Sequence, residues 1–312
     1  MGSYKIISGQ NLYDVGLHIY GSIEGITDLL ICNPALSMAS PLSSGQELKY
    51  SDDYLIDADT AAYNRTNGIV PANGERNVYF KESRYPMIAE LRILRAMTSA
   101  RIVLSGTGAV EIDWGDNTPL EMILLSGQNK EYRHSFNNAI SGNRKIRLYG
   151  DFELRDADLT ELTPSDLFLL RPLYAEQLTL KKSRLPLDFL PLFNGLCKLD
   201  LTGIRTESLL PVVECRELMA LNLTEVNVPR HVLDSFLIAL VKRHYGRRSC
   251  TVTLTELPGG EYREPERDEE LNYVISTGME AVWLLTHEPT WNEAGEWIFK
   301  IQDQIYTYEP ND

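Results

Sequence analysis

Leu178-Thr179-Leu180, Leu199-Asp200-Leu201, Leu221-Asn222-Leu223 and Val252-Thr253-Leu254 repeat one apolar-x-apolar pattern at offsets of 21, 22 and 31 residues. Alternate side chains of a strand face opposite sides, so the outer residues of each triplet point to one core and the middle residue points away. Between the triplets lie apolar segments at 208–213 and 232–242, the second with helical spacing. A short strand plus a helical return cannot bury its apolar edge alone, so neighbouring units must stack. The pattern predicts an array of such units. Ile146-Arg147-Leu148 fits either an earlier rung or the last strand of the preceding region; if it is both, the two regions are fused.

These rows resemble a leucine-rich repeat, although the long Asn element of the standard motif is missing. The face between and before the inward positions carries Gln177, Thr179, Lys198, Asp200, Ala220, Asn222, Thr251 and Thr253. The resemblance implies contact with an unidentified protein partner on that face. The face is small and polar, however, without the Trp, Tyr or Arg anchors of strong hot spots, so a solvated surface fits it equally well. The charge run 261–270 predicts a solvated loop and 271–285 a helix after it. Trp291, Trp297, Ile298 and Phe299 then supply bulk to cap the last rung.

The N-terminal fifty residues have a different rhythm. Residues 4–7 alternate like a short strand, and Leu12, Val15, Ile19 and Tyr20 fall at helical spacing until Gly21. Ser22 caps a second helix over 23–31, Asn33-Pro34 breaks it, and 46–50 reads as a second strand. Both helices are expected on one face of a two-stranded sheet, with Leu12, Val15, Ile19 and Leu30 buried. Tyr4, Ile6, Gly9, Leu12, Val15, Asn33-Pro34, Leu42, Gly45-Gln46 and Leu48 together resemble a LysM domain, departing from it at Gln10-Asn11, where the family has Asp-Thr. The resemblance implies a groove for peptidoglycan or a related N-acetylglucosamine glycan, lined by Gly9, Gln10, Asn11 and Leu12 with Asn33, Pro34, Ala35 and Leu36. Asn11 and Ala35 are the positions that best test it. The stretch 19–25 also resembles LysM-type proteins of phage tails.

Between these regions, 51–84 reads as a connector with a short helix at 57–64, turns at Asn67-Gly68 and Asn73-Gly74, and a strand at 77–81. Residues 85–150 read as all-β, with strands at 90–95, 101–105, 109–114, 121–125 and 145–149, a spacing that suits a small β-sandwich. Val110-Glu111-Ile112-Asp113-Trp114-Gly115-Asp116 and Tyr132-Arg133-His134-Ser135-Phe136 resemble the two signature elements of PKD domains, which are immunoglobulin-like spacers and contact modules. The whole chain is expected to be multidomain α+β: a small βααβ LysM-like domain (1–50), the connector (51–84), an all-β PKD-like sandwich (85–150) and an α/β leucine-rich-repeat solenoid with a C-terminal cap (151–312).

Composition and motifs narrow the function. The 312 residues carry a formal net charge of −14, a field that repels phosphate backbones, so no nucleic-acid partner is expected. No apolar run reaches the length of a membrane span, and no export signal stands at the N-terminus. Four sparse cysteines form no CxxC pair. Cys197 and Cys250 take matching positions two rungs apart, about 10 Å, too far for a disulfide, so free thiols are expected. Glu111, Asp113 and Asp116 form a carboxylate group of the kind that binds calcium, but without an Asp-x-Asp-x-Asp-Gly loop, and the PKD resemblance makes Asp116 a turn residue. His18, His134, His231, His244 and His287 show no metal-ligand spacing, and no nucleophile elbow or phosphate loop is present. No enzyme, metal or cofactor is expected. Two readings remain. One is a non-catalytic glycan- and protein-binding component of the bacterial cell envelope or surface, if a leader has been removed. The other is a structural part of a phage tail or tail-like assembly, made in the cytoplasm.

Overall fold

The computed structural model describes residues 1–312 except 8, 39, 41, 72–80, 138, 139, 141, 244–248 and 309–312. The fold is mixed α/β, with few helices and one large mixed sheet. The Asn73-Gly74 turn, most of the expected 77–81 strand and His244 lie outside the described residues.

Strands β1 (Gly2–Lys5) and β2 (Glu47–Tyr50) pair antiparallel, and Ile6 extends the pairing through Gln46 and Gly45. Helix α1 (Leu12–Tyr20) starts where expected: Asn11 Oδ1 accepts the N–H groups of Tyr13 and Asp14, and Asp14 accepts that of Asn11, a reciprocal cap for orphan donors. It ends at Gly21, whose φ of 71° suits glycine; a Cβ there would sit 2.1 Å from the Asp57 carbonyl oxygen. The expected second helix is divided. Ser22 caps a 3-10 turn at Ile23–Gly25, and α2 (Ile26–Cys32) follows. Gly25 lies against the Tyr20 ring, and this close approach sets the bend. The division restarts the helical phase of the second segment only. Leu12 and Val15 are buried as expected, but Tyr20 and Leu29 take the remaining core positions, and Ile19 and Leu30 are only half-buried. No single helix among the described residues is long and apolar enough to cross a membrane.

In the connector, α3 (Ala58–Thr66) begins at Asp57, whose carboxylate accepts the Thr60 N–H. The N–H groups of Ile56 and Asp57 both donate to Tyr20 O, and α3 packs on α1. The connector therefore belongs physically to the N-terminal unit, whose small core is separate from the main one.

The β-rich region contains β3 (Met87–Ile93), β4 (Ser99–Asp113), β5 (Glu121–Leu124), β6 (Lys130–Ser135) and β7 (Arg144–Asp158). Two expected strands, 101–105 and 109–114, are one: β4 runs through both, with a register shift at Ser105/Gly106. Its outer edge pairs β6 along one half and β5 along the other. All these strands hydrogen-bond into one connected sheet rather than two separate ones. β8 (Asp166–Leu169) lies on the far side of β3.

β7 joins this region to the repeats. Its first half pairs antiparallel with β3, and Leu154–Asp158 pairs parallel with β9 (Leu173–Thr179). The expected division at 150/151 thus falls inside one strand. The rung portion of β7 is 154–158, not 146–148, because Gly150 lets the strand turn from one neighbour to the other. After β9, whose start also pairs the two-residue β10 (Phe193–Asn194), come β11 (Lys198–Asp200), β12 (Ala220–Leu223) and β13 (Thr251–Leu254), all parallel. Leu178, Leu199, Leu221 and Val252 stand in register and are buried, as are Leu180, Leu201, Leu223 and Leu254. Offset length sets the return: the short offsets close with 3-10 turns at Leu190–Leu192 and Leu210–Glu214, whereas the long one accommodates α4 (Arg230–Lys242). Cys197 and Cys250 flank Met219 in consecutive rungs, and all four cysteines are free.

The C-terminal part differs from expectation. The 271–285 segment is not one helix. Asp268 accepts the N–H groups of Glu270 and Asn272, forming a tight turn between β14 (Glu266–Arg267) and β15 (Tyr273–Val274). Helix α5 (Gly278–His287) begins only after Thr277, which with Glu280 makes a reciprocal cap. The short α6 (Pro289–Asn292) leads to β16 (Ile298–Ile301), which pairs parallel with β13 and adds a rung after the four expected triplets, with Phe299 in register with Val252. The antiparallel β17 (Gln304–Thr307) covers its open edge.

Candidate functional site: the N-terminal groove and the strand face

The residues expected to read glycan are mostly engaged in holding the N-terminal unit together. Gln10 is 5% exposed; its carbonyl accepts Ile7 N–H, and its amide donates to Tyr4 Oη and Pro71 O, both at 2.8 Å. Leu12 is buried, and Asn11 is the α1 cap. Asn33 donates to Leu29 O and Lys49 O and accepts Lys49 N–H, tying α2 to β2. Gly9 takes the turn with φ 86°. Pro34 and Ala35 are exposed, and Leu36 packs at the edge of the core that Leu12 helps to form. Because Asn11 supplies the cap, Asn11→Ala is expected to lower stability by about 1 kcal/mol, measured by urea titration; unchanged stability would remove the cap's role.

The open surface of this unit lies elsewhere. Tyr13, Ile23, Ile26, Thr27, Leu30, Ile31 and Met38, with Glu24 as the one carboxylate, line a groove of about 500 Å³. Tyr13, Ile23, Ile31 and Met38 are all exposed. The periodicity of α1 and α2 assigns inward residues; it does not signal that outward ones on two helices meet beside Met38.

The structure brings together every residue of the expected partner face. Gln177, Lys198, Ala220 and Thr251 form one row, Thr179, Asp200, Asn222 and Thr253 the next, and together they line a shallow concavity of about 280 Å³. Asp200 Oδ1 accepts the N–H and hydroxyl of Thr202, and Asn222 Oδ1 does the same for Thr224. Burial works against ionised Asp200, but these bonds and Lys181 at 3.1 Å outweigh it and hold its carboxyl below the ordinary range. The rows extend further than the sequence reading placed them. Asp156 and Asp158 precede them on β7, and Ile298 and Lys300 follow on β16. The triplet Phe299-Lys300-Ile301 carries the repeat pattern and was the available signal.

The Trp114-Gly115-Asp116 turn is a buried polar knot. Asp116 accepts from Thr118 N–H and hydroxyl on one oxygen, and from Asn137 N–H and His134 Nε2 (2.7 Å) on the other. The His134 ring stacks on Trp114 at 4.9 Å, and Trp114 Nε1 donates to Glu121. Asp113 meets Lys81, the Gly115 N–H and, at 3.6 Å, Arg147. Glu111 accepts the Ser83 hydroxyl. Arg144 is buried over the Phe136 ring at 3.9 Å and donates to Gly115 O; burial pushes its guanidinium down to about 10. These carboxylates therefore face protein cations and donors. Among the described residues, no three His, Cys, Asp or Glu side chains gather as a metal site. His18 bonds Tyr4 Oη, His287 stacks on Trp283, and His231 is exposed on α4. Compared with protein-family models, curated proteins and solved structures, the chain has no match.

Proposed function

We propose that this protein is a non-catalytic structural and binding component of a multiprotein assembly of the phage-tail type, built from a LysM-like unit, a PKD-like β region and a leucine-rich-repeat array. The observation that carries the reading is the N-terminal groove. Its exposed Tyr13, Ile23, Ile31 and Met38 suit an apolar protein segment, whereas Gln10, Leu12 and Asn33 are committed to the fold. The continuous core running from β3 to β16 supports a stiff spacer, as an assembly part requires. The glycan-binding envelope reading keeps one specific support: Pro34 and Ala35 stay exposed beside Leu36, where a shallow sugar site would lie.

Sedimentation with insoluble peptidoglycan separates the two readings. On the assembly reading the protein stays in the supernatant, under conditions where a LysM protein of proven affinity pellets. Pelleting that Ala35→Trp reduces would put the glycan reading first. On the assembly reading, Ile31→Asp is also expected to prevent incorporation into purified tail particles, scored by immunoblot; incorporation at the wild-type level would remove the groove from the interface.

A further inference from the structure

The repeat array has a second ladder, beyond the turn that follows the strand face. Arg184 bridges parallel to Arg205, and Arg205 to Asn227, with Arg205 N–H donating to Ser183 O and Asn227 N–H to Ile204 O. Parallel neighbours stand about 4.8 Å apart, so two guanidinium side chains leave adjacent rungs from equivalent positions. Both arginines are exposed, and among the described residues neither has a carboxylate within 4 Å. Like charges in register are destabilising. In a chain of net charge −14, counter-charges for such a pair are abundant, yet among the described residues none lies in contact with it.

The pair opens into a cavity of about 630 Å³. Leu185 and Leu187 form its buried floor, Pro186 and Pro211 its apolar wall, and Thr206 and Ser208 add hydroxyls. Asp188 and Glu207 line it as well. Two forked guanidinium groups side by side match the oxygens of a carboxylate or phosphate. The volume exceeds what one such group fills and lies in the range of small-molecule sites.

We propose that Arg184 and Arg205 form an oxyanion-binding site that takes one phosphate or carboxylate group carried by a larger molecule, whose uncharged part rests on the proline wall. Asp188 and Glu207 set the selectivity: they repel a ligand with charge along its length, so the site accepts a single anionic end and not a polyanion. This site is independent of the N-terminal groove and of the assembly reading.

The test is thermal unfolding of the full chain in sodium phosphate and, separately, in sodium acetate, a monocarboxylate, each against sodium chloride of equal ionic strength. At a concentration about twenty times a millimolar Kd, the bound anion is expected to raise Tm by about 3–6 °C. A response to phosphate alone assigns a phosphate group, and a response to acetate alone assigns a carboxylate; either supports the site. The double variant Arg184→Gln, Arg205→Gln is expected to lose the response while its Tm in chloride stays at or above wild type, because the in-register repulsion is relieved. Arg263→Gln, which removes an exposed arginine paired with Glu280, is expected to keep the response. No shift beyond chloride with either anion, or an equal shift in the double variant, overturns the proposal.

Discussion

Asp116→Ala is expected to lower the stability of the β region by about 3–5 kcal/mol, the scale of removing one partner from a buried charged network. Asp116 is fully buried, and its two oxygens satisfy two backbone N–H groups, the Thr118 hydroxyl and the His134 ring. Truncation leaves all four donors without their acceptor and frees the ring that covers Trp114. Urea unfolding followed by tryptophan fluorescence and circular dichroism measures the loss; a change below about 1 kcal/mol would show that water or relaxation replaces the knot. The same residue predicts a pH dependence. Burial alone would raise the Asp116 carboxyl, but the hydrogen bonds from His134, Thr118 and Asn137 outweigh it and hold it well below the usual carboxylate range. The folded form therefore binds this proton less readily than the unfolded chain. The resulting stability is complete above the unfolded value, about pH 4, and is lost as pH falls from there toward the folded value. Asp116→Asn is expected to flatten the fall in stability below pH 4; an unchanged acid limb would assign the linkage to other carboxylates.

Phe299→Ala carries a comparable expected loss, about 3–5 kcal/mol, from transfer and cavity terms together. Phe299 is fully buried in β16, in register with Val252, beside Trp297 at a ring separation of 5.8 Å. Its rung is the last parallel one, covered on its open edge by β17. A repeat array is stabilised by contacts between neighbours, so the loss should be felt first at this end. Hydrogen exchange is expected to show Ile298–Ile301 and Gln304–Thr307 opening ahead of Leu173–Thr179. Uniform acceleration across all rungs would mean that the array unfolds as one unit and that β16 is not a separable end. Phe299→Leu, which keeps most of the volume, is expected to lose less than about 1.5 kcal/mol.

Local periodicity carried much of the fold. The triplets around Leu178, Leu199, Leu221 and Val252 placed four rungs in their observed register, because a period-two pattern with one buried face allows no slip. Asn11 and Gly21 fixed both ends of α1, because a side-chain cap and a left-handed residue act within one turn of the helix. The same locality explains Cys197 and Cys250: their spacing from the triplets sufficed to place them two rungs apart.

What the sequence left open depends on partners distant along the chain. Whether Ile146-Arg147-Leu148 ended one region or began the next was decided by β7 reaching β9 eight residues later, a pairing with no local signature. The 271–285 segment is apolar enough for a helix, yet Asp268 and Asn272 close a turn there and Thr277 starts the helix instead. For the candidate sites, the LysM resemblance implied that Gln10 and Asn33 face a ligand. Tertiary structure turned them toward Pro71 and Lys49, because a buried amide must find partners and the connector and β2 supply them. The apolar groove and the Arg184–Arg205 pair arise only when outward residues of separate elements are brought side by side. The sequence by itself determined the inward faces and the rows between them on the strand array, since burial of apolar side chains imposes a period; the N-terminal groove and the Arg184–Arg205 pair join outward residues that share no such period, and only the tertiary structure decided that they meet.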